Sequence, residues 1–293
     1  MTDEYIKKAE VLLEALPYMR RFQGQTVVIK YGGAAQLEPQ LKAAFARDIT
    51  MMQYLGIHPV VVHGGGPQIG KVLAQMDIPT RFVDGQRVTD ERTMDVVEMV
   101  LAGKINKEIV SLINTAGGTA VGLSGKDGRL LTARKLQFYK PREDEPPEII
   151  DIGLVGEVVA VNAALIRTLQ QQHFIPVIAP VGVGDAGETY NINADTVAGA
   201  VAKAMQAAKL ILLTDVAGVL DENQHLVSSL DRDRALVMMD EGTITGGMIP
   251  KVNCCLEAVT GGVGKAHILD GRMLHSVLLE IFTDTGIGTE IVG

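Results

Sequence analysis

The sequence predicts an α/β protein, a three-layer αβα sandwich with a mainly parallel central sheet. Two observations support this prediction: short β-branched runs alternate with longer amphipathic segments, and glycine clusters follow the first two runs, at 27–30 and 59–63. Such alternation is typical of strands joined by crossover helices, which cover both faces of a parallel sheet. Because these crossovers are right-handed, loops after successive strands meet at one edge of the sheet, where ligands bind.

Residues 1–22 predict an amphipathic helix ahead of the first strand. Ile6, Leu13 and Leu16 recur at helical spacing, which places them on one face. Pro17 should bend or end the helix, since proline lacks the amide hydrogen that a helix interior needs. The apolar face either packs on its own domain or reaches a neighbouring subunit, and the sequence leaves both open.

The remaining elements are predicted from the same alternation. Strands are expected at 27–30, 59–63, 175–179, 210–214, 267–269 and 278–282, and helices near 39–55, 67–76, 194–207 and from Pro250 onward. Residues 119–161 indicate strands joined by turns, within which 141–148 (PREDEPPE) predict an exposed, proline-stiffened loop. The two halves of the chain are expected to form lobes over 23–185 and 186–293.

Composition and charge exclude several classes of function. The 293 residues are 47% hydrophobic and carry a net charge of −8, which argues against nucleic acid as a partner. No apolar run approaches the roughly 20 residues of a membrane span, and the N-terminal stretch MTDEYIKKAE has charges where a signal peptide is apolar. We therefore expect a cytoplasmic protein. Cys254 and Cys255 are adjacent, which disfavours a mutual disulfide and offers no metal-ligand spacing.

Two strand ends predict anion sites. The run 27–33 (VVIKYGG) leads from a buried strand to Lys30 and the pair Gly32 and Gly33, and 60–66 (VVVHGGG) ends in three glycines. Backbone amides exposed by glycines after a strand form a cradle for phosphate or carboxylate, and a lysine adds positive charge. Pro67 follows in the position that favours a first helical turn.

The second half of the chain contributes two more candidate residues. Asp195 lies in the segment NINAD at the start of a predicted helix, and Lys251 follows Gly246, Gly247 and Pro250. A lysine in a first helical turn lies where unpaired amides and the helix dipole already favour an anion. Two lysines that approach one phosphate need a group to hold them, and the carboxylate of Asp195 is the candidate.

Two familiar motifs do not meet their structural requirements. Residues 65–71 (GGPQIGK) nearly match a phosphate-binding P-loop, but the next residue is Val72, which has no hydroxyl for magnesium. Residues 182–187 (GVGDAG) fit a dinucleotide-binding pattern, but no helix is predicted before about Ala194. The candidate ribose-binding acid, Asp215, also lies further along the chain than the usual spacing.

Six motifs occur along the chain in a fixed order: KYGGAA, VVVHGGGPQ, GQRVTD, NINADTVA, LLTDVAGVL and GGMIPK. As a set they resemble the N-acetylglutamate kinases of the amino acid kinase family, from Val27 to the C-terminus. The N-terminal segment LLEALPYMRRF and the ending LLEIFTDTGIGT resemble the arginine-inhibited, hexameric branch of these enzymes.

The resemblance implies ATP-dependent phosphorylation of the γ-carboxylate of N-acetyl-L-glutamate, with Mg²⁺ on the nucleotide, as the second step of arginine biosynthesis. It implies a catalytic set of Lys30, Lys251 and Asp195, in which the ammonium groups stabilise the transferring phosphoryl group and Asp195 orients them. The other implied residues are Gly65, Gly66, Arg87 and Asn191 for acetylglutamate; Gly32, Gly33, Thr214, Asp215, Val216, Ala217, Gly218, Val219, Thr243, Ile244 and Thr245 for the nucleotide; and Glu280 and Gly286 for arginine as an allosteric inhibitor.

By the same resemblance, 1–22 is an oligomerisation helix, 23–185 binds acetylglutamate and forms a dimer contact, and 186–293 binds ATP and arginine. The implied assembly is a homohexamer built as a trimer of dimers, and some members also bind a nitrogen-regulatory signal protein.

Each candidate residue also has a structural interpretation. Arg87, for example, could pair with Asp84 or Asp90 as a surface ion pair, and His63 is expected to pack or hydrogen-bond near the site rather than transfer protons. Three other functions stay open: a nicotinamide-dependent dehydrogenase, a non-catalytic amino-acid sensor, and a carbamate, aspartate or glutamate kinase.

Overall fold

The computed structural model describes residues 2–142, 145–283 and 286–293. The helices are α1 (Thr2–Phe22), α2 (Pro39–Tyr54), α3 (Gly66–Gln75), α4 (Glu91–Glu98), α5 (Asn106–Thr115), α6 (Ala163–Gln171), α7 (Ala194–Met205), α8 (Arg232–Asp240), α9 (Met248–Thr260) and α10 (Ser276–Ile281). A π-helical stretch, Met99–Ile105, joins α4 to α5, and short 3₁₀ turns cover Gly33–Gln36 and Asp127–Arg129. In the described part of the chain, none of these helices combines the length and apolarity that a bilayer crossing requires.

The strands are β1 (Thr26–Tyr31), β2 (His58–His63), β3 (Phe82–Val83), β4 (Gln86–Arg87), β5 (Ala120–Ser124), β6 (Leu131–Lys135), β7 (Phe138–Arg142), β8 (Glu145–Ile150), β9 (Gly156–Val161), β10 (Ile175–Ala179), β11 (Val181–Val183), β12 (Thr189–Asn191), β13 (Lys209–Thr214), β14 (Ser229–Leu230), β15 (Lys265–Asp270) and β16 (Thr289–Ile291). Eight of them form the main sheet in the order β14-β16-β15-β13-β1-β2-β10-β5. Its ladders are parallel except that between β15 and β16. The predicted fold class is confirmed.

The two faces of the main sheet bury two separate hydrophobic clusters. Alternate residues of β1 show this, since Val27 and Ile29 belong to one cluster and Val28 to the other. The first cluster lies against α2, α4 and α5, and the second against α7 and α9. A strand whose residues are buried on both faces reads as a continuous apolar run, which explains why β1, β2 and β13 could be predicted from sequence.

The structure corrects the sequence prediction at the C-terminus. Residues 278–282, predicted as a strand, lie mainly in helix α10, and the late strand is β16, at Thr289–Ile291. A short apolar run does not by itself distinguish a buried strand from a buried helix. Helix α8, Arg232–Asp240, was not predicted at all.

Smaller sheets contain most of residues 131–161 and the segment after β10, whereas β5 belongs to the main sheet. Strands β12, β11, β6 and β9 form one four-stranded sheet, and β7 pairs with β8 as an antiparallel hairpin. The segment 141–148 therefore contributes to two strands and is not simply a loop, although residues 143–144 lie outside the described part of the chain.

Helix α1 runs through Pro17 to Phe22, so of the two predicted effects of this proline, a bend or an end of the helix, the end does not occur. Several of its apolar side chains are exposed, including Val11, Leu12 and Leu13, whereas Phe22 is buried. The C-terminal end of the helix therefore packs on the protein, and the preceding turns leave an apolar face uncovered.

Candidate active site

Three charged side chains from three elements meet at the carboxyl end of the main sheet. Lys30 lies near the end of β1, Asp195 in the first turn of α7, and Lys251 in the first turn of α9. The ammonium nitrogen of Lys30 is 3.1 Å from Oδ1 of Asp195, and that of Lys251 is 2.5 Å from Oδ2. The carboxylate therefore bridges the two cations, and we call these three residues the lysine clamp.

The clamp is nearly enclosed, and its charges depend on one another. Burial alone would raise the pKa of Asp195, but the ammonium groups of Lys30 and Lys251 outweigh it and hold that pKa below its usual value. The backbone of Asp195 is fixed by Asn193, whose side-chain oxygen accepts hydrogen bonds from the amides of Asp195, at 2.8 Å, and Thr196, at 3.3 Å. This N-cap sets the direction in which α7 presents the carboxylate.

The first glycine cradle lies beside the clamp. A Cβ at Gly32 would lie 2.7 Å from the ammonium nitrogen of Lys30, and Gly33 has a φ of +66°. A Cβ at Gly33 would also collide with the carboxylate of Asp215. A side chain at Gly32 would displace the ammonium of Lys30, and one at Gly33 would displace the Asp215 carboxylate and strain a backbone of positive φ.

The second glycine cradle is formed by Gly65 and Gly66, at the N-terminus of α3. Gly65 is the N-cap residue, and Pro67 occupies the first turn as predicted. First-turn amides of a helix have no partner within it and favour an anion. A Cβ at Gly65 would collide with Ile105 and Leu101 of the π-helical stretch, so the loop is packed tightly from behind.

Arg87 is buried, and its guanidinium is oriented by neighbouring groups. It donates hydrogen bonds to the hydroxyl of Thr80 and, at 3.0 Å, to the carbonyl of Gly66, and it stacks 4.6 Å from the centre of the Phe82 ring. Burial lowers its pKa. The alternative partner Asp90 caps α4 instead, accepting a hydrogen bond from the amide of Thr93.

Asn191 lies at the end of β12, and its side chain donates a 3.3 Å hydrogen bond to the hydroxyl of Thr89.

One cleft of about 920 Å³, partly open to solvent, is lined by the clamp, both cradles, Arg87 and Asn191. The structure thus places three predicted groups around one cleft. They are the catalytic residues, the substrate residues Gly65, Gly66, Arg87 and Asn191, and the nucleotide residues Gly32 and Gly33.

The other predicted nucleotide residues do not line this cleft. Thr214 ends β13, and the carboxylate of Asp215 faces Gly33, which does line the cleft. The amide of Val219 donates to the hydroxyl of Thr289, and Ile244 is buried between α8 and α9. The segment 214–219 therefore follows the carboxyl end of β13, and 243–245 forms the turn between α8 and α9, where the amides of Thr243 and Ile244 donate to the carbonyl of Met238.

A second cavity, of about 590 Å³ including the solvent at its mouth, lies between α1 and the C-terminal part of the chain. Among its lining residues are Tyr18, Phe22, Lys209, His267, Glu280 and Gly286. Glu280 accepts charge-assisted contacts at 2.8 Å from Lys209 and 2.9 Å from Nε2 of His267. Burial alone would raise the pKa of Glu280, but His267 and Lys209 hold it at about 2.

Sequence reasoning missed several residues of the cleft. Gln36 lines it and donates to the carbonyl of Tyr31 at 2.9 Å, and Phe82 supports Arg87. Asn193 could have been found, because an asparagine two residues before an acidic first turn is a common N-cap. No sequence signal marks Gln36 or Phe82, since their roles depend on contacts between distant segments. His63 hydrogen-bonds beside the cleft, as expected.

The two rejected motifs have structures that differ from those their patterns require. Helix α3 begins at Gly66, so most of the GGPQIGK run is helical rather than a phosphate-binding loop. The GVGDAG run forms the antiparallel hairpin of β11 and β12, whereas a dinucleotide-binding turn leads from a strand into a helix.

Comparisons with known proteins agree with this geometry. Residues 25–270 match the amino acid kinase family. The acetylglutamate kinase of Solidesulfovibrio magneticus is 64% identical over 285 residues, which cover 97% of this chain and 96% of that protein. The acetylglutamate kinase of Syntrophus aciditrophicus is 62% identical over 287 residues, covering 98% and 97%.

Among solved structures, the N-acetylglutamate synthase of Neisseria gonorrhoeae complexed with coenzyme A and N-acetyl-glutamate has a TM-score of 0.84 at 26% identity, over 97% of this chain. This chain spans 63% of that synthase chain. The same synthase complexed with coenzyme A and L-arginine has a TM-score of 0.80. The chain therefore belongs to the amino acid kinase family, within which it groups with the acetylglutamate kinases.

Proposed function

We propose that this enzyme transfers the γ-phosphoryl group of ATP to the γ-carboxylate of N-acetyl-L-glutamate, giving N-acetyl-L-glutamyl 5-phosphate in the second step of arginine biosynthesis. The observation that supports this most strongly is the lysine clamp, in which Asp195 holds two ammonium groups at the edge of a cleft lined by amide-rich cradles. As an ATP-dependent biosynthetic enzyme, it is expected in the cytoplasm.

The reaction needs charge stabilisation and positioning more than proton transfer. The acceptor carboxylate is already anionic, so no general base is required, and its repulsion from the γ-phosphate is the main obstacle. Lys30 and Lys251 offset the charge on the transferring group and the leaving ADP oxygen, and Asp195 keeps both ammonium groups oriented. Preorganised cations in an enclosed site supply most of the transition-state stabilisation in such transfers.

The acceptor is held by the second cradle and Arg87. Amides of Gly65 and Gly66 face the γ-carboxylate, and Arg87 binds the α-carboxylate because a guanidinium grips both oxygens of a planar anion. The stacking on Phe82 and the hydrogen bond to Gly66 fix the guanidinium before the substrate arrives. Asn191 lies in the same cleft and contributes to binding N-acetyl-glutamate.

The nucleotide enters from the carboxyl end of β13, with its phosphates on Gly32 and Gly33 and its remaining part along 214–219 and 243–245. Both oxygens of Asp195 already contact ammonium groups, so the clamp fits a Mg²⁺ ion that is held by the ATP phosphates and water rather than by this carboxylate. The bound metal would shield the phosphate charges. In this proposal 23–185 is the acetylglutamate lobe and 186–293 the nucleotide lobe.

We also infer feedback inhibition by arginine at the cavity beside α1. Glu280 is an ionised, buried carboxylate suited to a guanidinium, and the buried Nδ1 of His267 has no hydrogen-bond partner among the described residues. Nδ1 is available as an acceptor because Nε2 faces Glu280. Gly286 closes the other side, where a Cβ would lie 2.5 Å from Glu280 Oε2. A structurally similar synthase has been solved in complex with L-arginine, which supports arginine as a ligand of this chain.

The exposed apolar face of α1 supports assembly through this helix into a hexamer, a trimer of dimers. Deletion of residues 1–20 should leave dimers and abolish inhibition by arginine, with turnover retained. The measurement is light scattering together with an arginine titration. A truncated protein that stays hexameric and inhibitable would contradict this assignment.

A nitrogen-regulatory signal protein is a further candidate partner, to be tested by adding it to the arginine titration.

ADP release with magnesium-ATP and a panel of acceptors tests the main proposal. Turnover should require N-acetyl-L-glutamate, with little release for free glutamate, aspartate or carbamate. A preference for one of those acceptors would identify another kinase of the family. Arginine binding without turnover of any acceptor would instead identify an amino-acid sensor, and binding of NADH but not ATP a dehydrogenase.

A further inference from the structure

His63 ends strand β2 directly before the second glycine cradle, and it is fully buried. Its Nδ1 lies 2.9 Å from the carbonyl oxygen of Gly64, and its Nε2 lies 3.2 Å from the side-chain nitrogen of Asn106. A carbonyl oxygen only accepts hydrogen bonds, so Nδ1 must carry the proton.

Asn106 fixes the other nitrogen of the ring. The Asn106 amide nitrogen also donates to the carbonyl of Val177 at 2.8 Å, and its second hydrogen is shared between Nε2 of His63 and the carbonyl of Leu123, 3.4 Å away. The Asn106 oxygen accepts from the ammonium of Lys107 at 3.0 Å. The Val177 carbonyl and the Lys107 ammonium assign the amide orientation, because one is a pure acceptor and the other a pure donor. Nε2 therefore accepts, and a proton there would face the amide hydrogens of Asn106.

The imidazole is consequently neutral. Burial and the nearby charge of Lys107 lower the pKa of His63 to about 4, against the hydrogen bond to Gly64, which raises it. A neutral ring with a single assigned proton is a directional donor, not a proton-transfer group at neutral pH.

The hydrogen bond to Gly64 orients the next peptide. The Gly64 carbonyl points toward His63 and also accepts from Gln36 at 3.3 Å, and both of these side chains are buried. In a trans peptide the N–H points opposite to the carbonyl. The amide of Gly65 therefore points away from His63, and Gly65 itself lines the cleft.

We propose that His63 is a positioning residue for phosphoryl transfer, held by Asn106 in the Nδ1–H tautomer so that it fixes the Gly64 carbonyl and aims the Gly65 amide at the acceptor carboxylate. The role of that amide rests on the function proposed above, whereas the tautomer does not. Gln36 is a second donor to the same carbonyl, so loss of the His63 donor weakens the orientation without abolishing it.

The tautomer is tested in the unmodified protein by nitrogen-detected NMR of histidine-labelled enzyme. His63→Asn, which lacks the signal, assigns it among the six histidines. We expect the Nδ1–H form throughout pH 5–8, with no titration in that range. An Nε2–H form, or protonation above pH 5, would overturn the proposal, and of the variants this result requires only that His63→Asn folds well enough to assign the signal.

A matched pair of variants tests the role. Asparagine places an amide nitrogen near the position of Nδ1, whereas glutamine places it near Nε2 and cannot reach Gly64 in the same way. His63→Gln should lower kcat/KM for acetylglutamate about tenfold with an unchanged KM for ATP, and His63→Asn should stay within about twofold of wild type. Equal losses in both variants, or a parallel rise in KM for ATP, would indicate a merely structural role.

Different measurements would refute the proposed function and the proposed role of His63. Turnover of N-acetyl-L-glutamate by the wild type decides the proposed function, and if another acceptor is used, the ratio of the two variants is measured with that acceptor. The tautomer and the ratio decide the role of His63 in either case.

Discussion

Replacement of Asp195 by asparagine tests the lysine clamp with almost no change in side-chain volume. The ammonium groups of Lys30 and Lys251 contact opposite oxygens of this carboxylate, at 3.1 and 2.5 Å. Two such cations lie about 5 Å apart, where an effective dielectric constant of about 20 gives a repulsion of about 3 kcal/mol. The carboxylate cancels this repulsion, and an amide does not. One lysine should therefore leave the site in the variant, which corresponds to a loss of about 100-fold in kcat.

The assay is ADP release at saturating magnesium-ATP and acetylglutamate, with the melting temperature measured in parallel. Asp185→Asn is the matched control, because Asp185 lies on the β11–β12 turn and its side chain is 96% exposed. The control should keep full activity. The reasoning is refuted if Asp195→Asn retains kcat within about threefold of wild type while Lys30→Met and Lys251→Met are both inactive, since the lysines would then not need their carboxylate.

Three further predictions follow from single contacts. Arg87→Lys keeps the charge but loses the planar fork, so KM for acetylglutamate should rise about tenfold at nearly constant kcat; steady-state kinetics check this, and a fall in kcat alone would contradict it. Glu280→Gln should shift the arginine inhibition curve at least about tenfold with the uninhibited rate unchanged, whereas an unshifted curve would exclude Glu280 from the arginine site. Burial raises the pKa of Asp48 from 3.8 to about 6, although the hydrogen bond and charge of His275 act to lower it. Between pH 3.8 and 6 the native state therefore binds more protons than the unfolded state. The free energy of unfolding falls as the pH rises through this range. Asp48→Asn should remove that loss and be more stable than wild type at pH 8 by about 3 kcal/mol in urea unfolding, and equal pH dependence in both proteins would contradict the assignment.

The central strands could be predicted from sequence because each is buried on both faces. Val27, Val28 and Ile29 have no exposed surface, so the run is apolar throughout and its boundaries are marked by Lys30 and the glycines. The end of the chain could not be predicted in the same way. Residues 278–282 are a short apolar run of a buried helix, and α8 has no clear apolar period, so neither had a local signal that separates helix from strand.

The clamp was predictable only as a set of motifs. No local sequence pattern indicates that Lys30 and Lys251, which are more than 200 positions apart, contact the same carboxylate. The resemblance to a family supplied that pairing, and the structure supplies its physical basis. Contacts made by single side chains between distant segments, such as Phe82 on Arg87 or His63 on Asn106, have no such motif. They follow only from tertiary packing.

The position of the clamp depends on strand register. Lys30 pairs with Val62 of β2 and Leu212 of β13 in the parallel ladders, and it shares a face with Val28, which packs in the cluster that contains α7 and α9. A slip by one residue would turn Lys30 to the other face. The register that buries Ile29 and Val28 on opposite sides therefore also aims the ammonium at Asp195. Because register cannot change without breaking both hydrophobic clusters, the packing of the sheet itself fixes where Lys30 meets Asp195.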